Sequence, residues 1–150
     1  MMLYLDNAAT TLKKPLSVYA TLFKSTLFSG GNAGRGGHKM SMDAVRAIVD
    51  TQDLIAQLFN IKKAENIVFT QNATYALNTA ILGTMSNGGH IVVTEMDHNS
   101  VLRPACLPGN YTVVKADKSG YVHAEDVEKA VRKDTNLIVC THASNVCGTI

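Results

Sequence analysis

The sequence has no tryptophan, only three cysteines and no cluster of like charges. Its fourteen Lys and Arg residues and twelve Asp and Glu residues are spread along the chain and leave a net charge of +2. Proteins that bind nucleic acid usually carry a basic patch, and proteins that bind anionic membrane surfaces carry clustered lysines and arginines. We therefore expect neither nucleic acid nor a membrane among the partners of this chain.

Long apolar runs and a disulfide framework are also missing. No stretch has the roughly 20 apolar residues that span a bilayer. The opening residues lack the basic segment followed by an apolar segment that is typical of a signal peptide. An odd number of cysteines, Cys106, Cys140 and Cys147, does not fit a set of paired disulfides. These features predict a protein of a reducing, cytoplasmic compartment.

Apolar residues make up 46% of the chain, which is enough to bury the core of one soluble domain. Their spacing predicts a helix that starts just after Gln71 and further helices over residues 16–27, 41–59 and 125–132. Short apolar runs predict strands over residues 67–69, 91–94, 111–115 and 137–140. Alternating strands and helices are typical of an α/β fold with a mainly parallel sheet.

The stretch from Asn66 to Gly83 contains both a predicted strand and the start of a predicted helix. Asn72 and Thr74 fall at the junction. The first turn of a helix has backbone N–H groups without intrahelical partners and a partial positive charge, which makes it a natural phosphate site. The alternative is that Asn72 or Thr74 only caps the helix.

Polar residues follow the predicted strands in three segments, Thr70–Thr74, Glu95–Ser100 and Thr141–Asn145. Ligands of open α/β sheets bind beyond the carboxyl ends of the strands, so we expect these segments to converge on one crevice. The imidazole of His98 can stack on a planar heteroaromatic ring, or it can be an ordinary loop histidine. Asn145 can bind a ring substituent, or it can simply form the turn that ends a strand.

A glycine-rich loop between Gly30 and Gly37 precedes the second predicted helix. It matches neither the dinucleotide-binding fingerprint nor the P-loop. Two interpretations remain open: a flexible turn, or a mobile loop that brings Arg35 or His38 to a site.

Four motifs together resemble the class V aminotransferase family: YLDNAATT at 4–11, NATYALN at 72–78, EMDHNSVLRP at 95–104 and THASNVCGTI at 141–150. They look most like its cysteine desulfurase branch, which comprises pyridoxal phosphate enzymes of fold type I. The resemblance implies a three-layer α/β sandwich with a mainly parallel sheet. Residues 1–150 would then form the N-terminal segment and the first part of the large, cofactor-binding domain, whose remainder is absent.

The same resemblance implies a role for each motif residue. Ala73 and Thr74 would hold the phosphate of pyridoxal 5'-phosphate through a backbone N–H and a hydroxyl. His98 would stack on the pyridine ring and act catalytically by moving protons, and Asn145 would contact the ring hydroxyl. The residues implied on the substrate side of the cleft are Asn7, Ala8 and His38.

For the full-length protein, the resemblance implies a homodimeric enzyme that removes sulfur from L-cysteine, leaving alanine and an enzyme persulfide that a sulfur-acceptor protein can receive. Family members continue to an Asp that pairs with the pyridine nitrogen, a Lys that binds the cofactor covalently and a nucleophilic Cys. The five residues after Asn145 contain no Asp or Lys, and the resemblance places the nucleophilic Cys far downstream of Cys147. We therefore expect the isolated chain to be inactive and to be poorly stable or self-associating.

Other interpretations remain open. An aminotransferase or a lyase of the same family would need the same residues in this part of the chain. A non-catalytic module for oligomerisation or partner binding could keep the fold alone. A metal site at Cys140, His142 and Cys147 is disfavoured, because the spacing is not a zinc pattern and a fourth ligand is not evident. We expect Cys140 to be a small buried hydrophobe instead.

Overall fold

The computed structural model describes residues 3–150 and divides into two compact units on either side of the Val68–Phe69 bond. The first unit contains helices α1 (Leu16–Phe28) and α2 (Lys39–Leu58) and a 3₁₀ turn (Ala64–Asn66). The second unit contains α3 (Ala73–Thr84), a 3₁₀ turn (Met85–Asn87), β1 (His90–Thr94), α4 (Asn99–Cys106), β2 (Tyr111–Val114), α5 (Ala124–Ala130) and β3 (Thr135–Ile138).

The second unit is built on a three-stranded parallel sheet in the order β2-β1-β3. Ile91 is aligned with Tyr111 on one side and with Leu137 on the other. Every residue of the central strand β1 is buried, as a parallel strand covered on both faces requires. The predicted α/β class with a parallel sheet is confirmed.

The core of this unit lies where α3 and α4 pack on the sheet. Its buried residues are Ile81 of α3, Met85 of the following 3₁₀ turn, Ile91 and Val93 of β1, and Val101 and Ala105 of α4. Helices α3 and α4 also contact each other directly. The starts of both helices are thereby held close to the carboxyl end of β1.

The strand predicted over residues 67–69 is wrong. Ile67 has an extended backbone, but no strand pairs with this segment among residues 3–150. Its carbonyl instead accepts a 2.7 Å bond from Gln52 Nε2 in α2, and Val68 is 79% exposed. Apolar, β-branched residues predict a strand only where a neighbouring strand is available to pair.

The sequence does not predict helix α4, because Pro104 is typical of a loop. Pro104 lies inside the helix and leaves the Ser100 carbonyl without its usual intrahelical donor. The side chain of Asn78 in α3 donates to that carbonyl over 3.4 Å. A tertiary contact therefore compensates for a residue that is unfavourable in isolated helices.

Helix α2 begins at Lys39, two residues before the predicted start. His38 is the N-cap, and its Nδ1 accepts from Ser41 N at 3.4 Å. Ser41 is fully buried and donates through its hydroxyl to Asn32 O at 2.6 Å. The apolar face predicted to be buried is largely exposed, with Leu54 at 65% and Leu58 at 76%.

The prediction that Cys140 is buried is also wrong. Strand β3 covers Thr135–Ile138 rather than residues 137–140, so Cys140 lies beyond its end and is exposed, as are Cys106 and Cys147.

Candidate functional site

The start of α3 combines a side-chain cap with open backbone donors. Asn72 has an extended backbone and its Oδ1 accepts from Tyr75 N at 2.8 Å, while its carbonyl accepts from Ala76 N at 3.1 Å. The N–H groups of Ala73 and Thr74 precede these bonds and have no intrahelical partner. Asn72 therefore does the capping, and Thr74, an exposed residue, is left available for a ligand.

His98 occupies the corresponding position at the start of α4. Its carbonyl accepts from Val101 N at 2.8 Å, and its Nδ1 lies 3.1 Å from Ser100 N and 2.9 Å from Ser100 Oγ. Because Nδ1 accepts from a backbone N–H, a neutral imidazole carries its proton on Nε2. The ring is thus held in one tautomer while its Nε2 edge stays exposed.

Thr74 and His98 line one open cleft of about 490 Å³ between the starts of α3 and α4. The other lining residues are Asn78, Asn99, Ser100 and Arg103. Asn78 Nδ2 donates to Thr74 O at 2.9 Å and connects the two helices through its Ser100 contact. Among the described residues, no carboxylate and no lysine lines the cleft. Two helix N-termini and one guanidinium make it attractive to an anion.

Asn145 does not line this cleft. It lies in an exposed position on a tight turn closed by Ser144 N to Thr149 O and by Gly148 N to Ser144 O, both 2.9 Å. The structure therefore places Thr74 and His98 in one cleft, and it joins the 141–145 segment to the 95–100 segment through the bond from Thr141 Oγ1 to Asp97 Oδ1, while Asn145 itself does not line the cleft.

Asn7, Ala8 and His38 belong to the first unit and are exposed there. The glycine-rich loop is packed against the start of α2, because a Cβ at Gly31 would collide with the backbone of Met40. The Ser41–Asn32 bond anchors the same loop. His38 caps α2, and its role on the substrate side stays a prediction, as do those of Asn7 and Ala8.

A second cavity of about 300 Å³ lies on the other side of the β1 end, where Met96, Tyr121 and Val127 supply apolar surface beside Thr94 and Thr141. The hydroxyls that line it, on Thr94, Thr141, Ser144 and Thr149, are already hydrogen-bonded within the protein. No group of three or more His, Cys, Asp or Glu within residues 3–150 is arranged to hold a metal ion. None of the helices in that range is long and apolar enough to cross a membrane.

Sequence reasoning missed the residues that support the site. Asp97 is buried and accepts hydrogen bonds from Thr94 and Thr141. Asn78 and Arg103 line the cleft. Asp97 and Arg103 fall inside the 95–104 motif and Asn78 ends the 72–78 motif, but only the tertiary structure shows which of these side chains turn inwards.

This chain is similar to known proteins over nearly its whole length. A sequence model described as aminotransferase class-V matches residues 3–150. A protein of Aeropyrum pernix named probable cysteine desulfurase is 35% identical over 98% of this chain, which covers 38% of that protein.

Two solved structures are similar over nearly the whole chain. One, described as a NifS-like protein, has a TM-score of 0.86 and 25% identity, covering 97% of this chain and 41% of that one. The other, described as SspA in complex with cysteine, has a TM-score of 0.84 and 27% identity, covering 95% and 42%.

This chain thus spans about two fifths of the length of the relatives it matches. Within that span, both the sequence and the fold match those of the relatives. Since the family match extends over every residue that the structure describes, the chain belongs to the class-V aminotransferase family.

Proposed function

We propose that this chain forms the cofactor-cradling N-terminal part of a pyridoxal-phosphate-dependent, cysteine desulfurase-like enzyme. The observation that carries the proposal is the shared cleft, in which the uncapped donors at the start of α3 and the fixed imidazole of His98 face the same space. One part of the cleft suits a phosphate and the other suits a planar ring.

The donor set at the start of α3 fits a phosphate. The N–H groups of Ala73 and Thr74 and the Thr74 hydroxyl are neutral donors backed by a helix of twelve residues, and charge-assisted bonds of this kind are the strong ones. With no carboxylate among the residues that line the cleft, a dianion meets no repulsion from its walls.

His98 fits the ring. A stacked imidazole contributes about 0.5–1.5 kcal/mol by analogy with aromatic pairs. The bonds from Ser100 hold the imidazole plane before the ligand arrives, so less rotamer entropy is lost on binding. His98 Nε2 is the atom at which a proton can be given to, or taken from, a substrate bound beside the ring.

The cofactor, when bound, supplies an electron sink for the carbanion that forms at the substrate α-carbon. We propose that Asn145 reaches the ring hydroxyl and that Asn7, Ala8 and His38 lie on the substrate side. Asn145 belongs to the segment that the Thr141–Asp97 bond joins to the turn bearing His98.

For the whole protein, we propose that L-cysteine is the amino acid substrate and that alanine and an enzyme persulfide are the products. The supports are the names of the relatives and the description of one similar structure as a complex with cysteine. The covalent lysine, the pyridine-pairing Asp and the nucleophilic Cys would lie outside these 150 residues. A homodimer, a sulfur-acceptor protein and a cytoplasmic location complete the proposal.

Titration of the purified chain with pyridoxal 5'-phosphate tests the cradle. We expect saturable binding, seen as a change in cofactor absorbance and as protection from thermal unfolding. Thr74→Ala should weaken binding about tenfold or more, because it removes a bond to a charged group. Thr79→Ala is the matched control, since Thr79 lies on the same helix and bonds only to Tyr75 O.

His98→Ala should also weaken binding, with His142→Ala as an exposed control outside the cleft. The proposed cofactor site is wrong if the chain does not bind pyridoxal 5'-phosphate. It is also wrong if neither Thr74→Ala nor His98→Ala changes the affinity. The interpretation as a non-catalytic oligomerisation or partner-binding module would then be favoured.

A further inference from the structure

The function proposed above makes no use of Asp97, the residue immediately before His98. Its side chain is only 6% exposed, although burying a carboxylate is costly unless its oxygens are satisfied. Both oxygens are satisfied here, and by uncharged groups: the partners are Thr94 N, Thr94 Oγ1 and Thr141 Oγ1. A buried charge held in this way needs an explanation beyond closing a turn, since Asn or Ser closes turns without that cost.

One oxygen of Asp97 fixes the turn that leads from β1 to His98. Oδ2 accepts from Thr94 N at 2.7 Å and from Thr94 Oγ1 at 2.9 Å, and Asp97 N donates back to Thr94 O at 3.2 Å. Thr94 is itself buried at the end of the central strand. The backbone that carries His98 is therefore tied to the buried central strand of the sheet.

The other oxygen reaches a different segment. Oδ1 accepts from Thr141 Oγ1 at 2.8 Å, across 44 residues of sequence. Thr141 lies three residues after β3. The chain between them stays next to β1, because Val139 N donates to Val92 O at 2.9 Å. A single carboxylate thus joins the turn that bears His98 to the segment that leads to Asn145.

We propose that Asp97 is a positioning residue, which fixes the His98 backbone through Thr94 and Thr141 and thereby sets where the imidazole lies over a ring in the cleft. This inference rests on the proposed function. Asp97 makes no contact with the ligand itself. Its effect on ligand binding passes entirely through His98.

Thr141→Val tests this, because the two side chains have nearly the same shape and the change replaces the hydroxyl that donates to Asp97 Oδ1 with a methyl group. We expect pyridoxal 5'-phosphate to bind about three- to tenfold more weakly, which is the range for one hydrogen bond to a charged group. The induced circular dichroism of the bound cofactor should fall toward that of His98→Ala. Thr141→Ser, which keeps the hydroxyl, should restore both.

The decisive comparison is a double-mutant cycle. If Thr141 and Asp97 act through the imidazole, Thr141→Val should have no further effect on binding or dichroism in a His98→Ala background. An equal effect in both backgrounds would overturn the inference while leaving the cofactor cradle intact.

The position of the His98 ring can also be measured by NMR without a ligand, so the inference can be tested even if the chain does not bind pyridoxal 5'-phosphate. In the free chain, Thr141→Val should shift the NMR resonances of the His98 ring, and Thr141→Ser should not. His38, which caps α2 in the first unit, provides the internal reference. An unchanged His98 ring in Thr141→Val would contradict the inference whether or not the cofactor binds.

Discussion

One asparagine and one histidine side chain determine where the helices at the cleft begin. Asn72 supplies the acceptor for Tyr75 N at α3, and His98 supplies the acceptor for Ser100 N at α4. At α3 the cap and the proposed ligand contact belong to separate residues, Asn72 and Thr74. At α4 both tasks fall on His98, whose Nδ1 caps the helix while Nε2 stays exposed.

Asn72→Ala should lower the free energy of unfolding by about 1 kcal/mol, the usual cost of losing an N-cap side chain. The lost bond is the 2.8 Å contact with Tyr75 N. Urea unfolding followed by circular dichroism measures the change. Asn72→Asp keeps an acceptor oxygen and should remain near the wild type, so equal losses in both variants would contradict the assigned cap.

His90 should make stability depend on pH. It is fully buried, with Nδ1 at 2.8 Å from Thr135 Oγ1 and Nε2 at 2.9 Å from Thr112 Oγ1. Burial lowers the pKa of His90 and Arg132 adds to this, while Asp134 opposes it.

Because the folded-state pKa of His90 lies below its unfolded value near 6.5, the unfolded chain takes up this proton first as the pH falls. The contribution of His90 to the free energy of unfolding is therefore fully present above pH 6.5 and decreases as the pH falls below it. We expect a lower unfolding midpoint in urea at pH 5.5 than at pH 7.5, with a smaller difference in His90→Gln. His142→Gln should keep the full difference, and a His90→Gln variant that also keeps it would refute this assignment.

At the level of single residues, the sequence was informative where chemistry is local. Thr74 and His98 could be proposed as site residues because a helix start and an imidazole have recognisable uses, and the structure places both on one cleft. Asp97 could not, because nothing in the residues 95–100 shows that its side chain turns inwards to meet Thr141, 44 positions away. The exposed position of Asn145 likewise depends on how the 144–149 turn closes.

Among the secondary-structure elements, α4 shows how tertiary contacts override local preference. Pro104 removes one backbone donor from an eight-residue helix, and Asn78 of α3 replaces it at the Ser100 carbonyl. The helices α1, α2, α3 and α5 and the three strands could be predicted to within a few residues from periodicity. The predictions at α4 and at residues 67–69 were wrong because both depend on hydrogen-bond partners from elsewhere in the chain. Asn78 supplies one for α4, and no strand supplies one for residues 67–69 among the described residues.

Asn78→Ala should destabilise the chain by about 1 kcal/mol, because it leaves the Ser100 carbonyl without a donor. In a Pro104→Ala background the backbone N–H of residue 104 can reach that carbonyl, so the same substitution should cost less. Urea unfolding of the four proteins measures the coupling. Additive losses would show that the Asn78 contact does not compensate for the proline.

Across the whole chain, apolar surface is distributed unevenly. The first unit has few buried residues, and several large apolar side chains in it are more than half exposed, namely Leu16, Leu22, Phe23, Phe28, Leu54 and Leu58. In the second unit, β2 and β3 form the two edges of the sheet. Exposed apolar patches and open edges are both surfaces on which chains associate.

We therefore expect the 150-residue chain to self-associate as its concentration rises, and sedimentation velocity over a range of concentrations would show this. Pairs of substitutions such as Leu54→Lys with Leu58→Lys should shift the distribution toward the monomer. A chain that stays monomeric at every concentration would contradict the expectation.

The central claim is that one cleft holds a phosphate at Thr74 and a ring at His98. The most direct test compares the affinity of the chain for pyridoxal 5'-phosphate and for pyridoxal, which lacks the phosphate. We predict that Thr74→Ala weakens binding of pyridoxal 5'-phosphate alone, whereas His98→Ala weakens binding of both ligands. If Thr74→Ala affects the two ligands equally, or if His98→Ala affects neither, the assignment of the two parts of the cleft is contradicted.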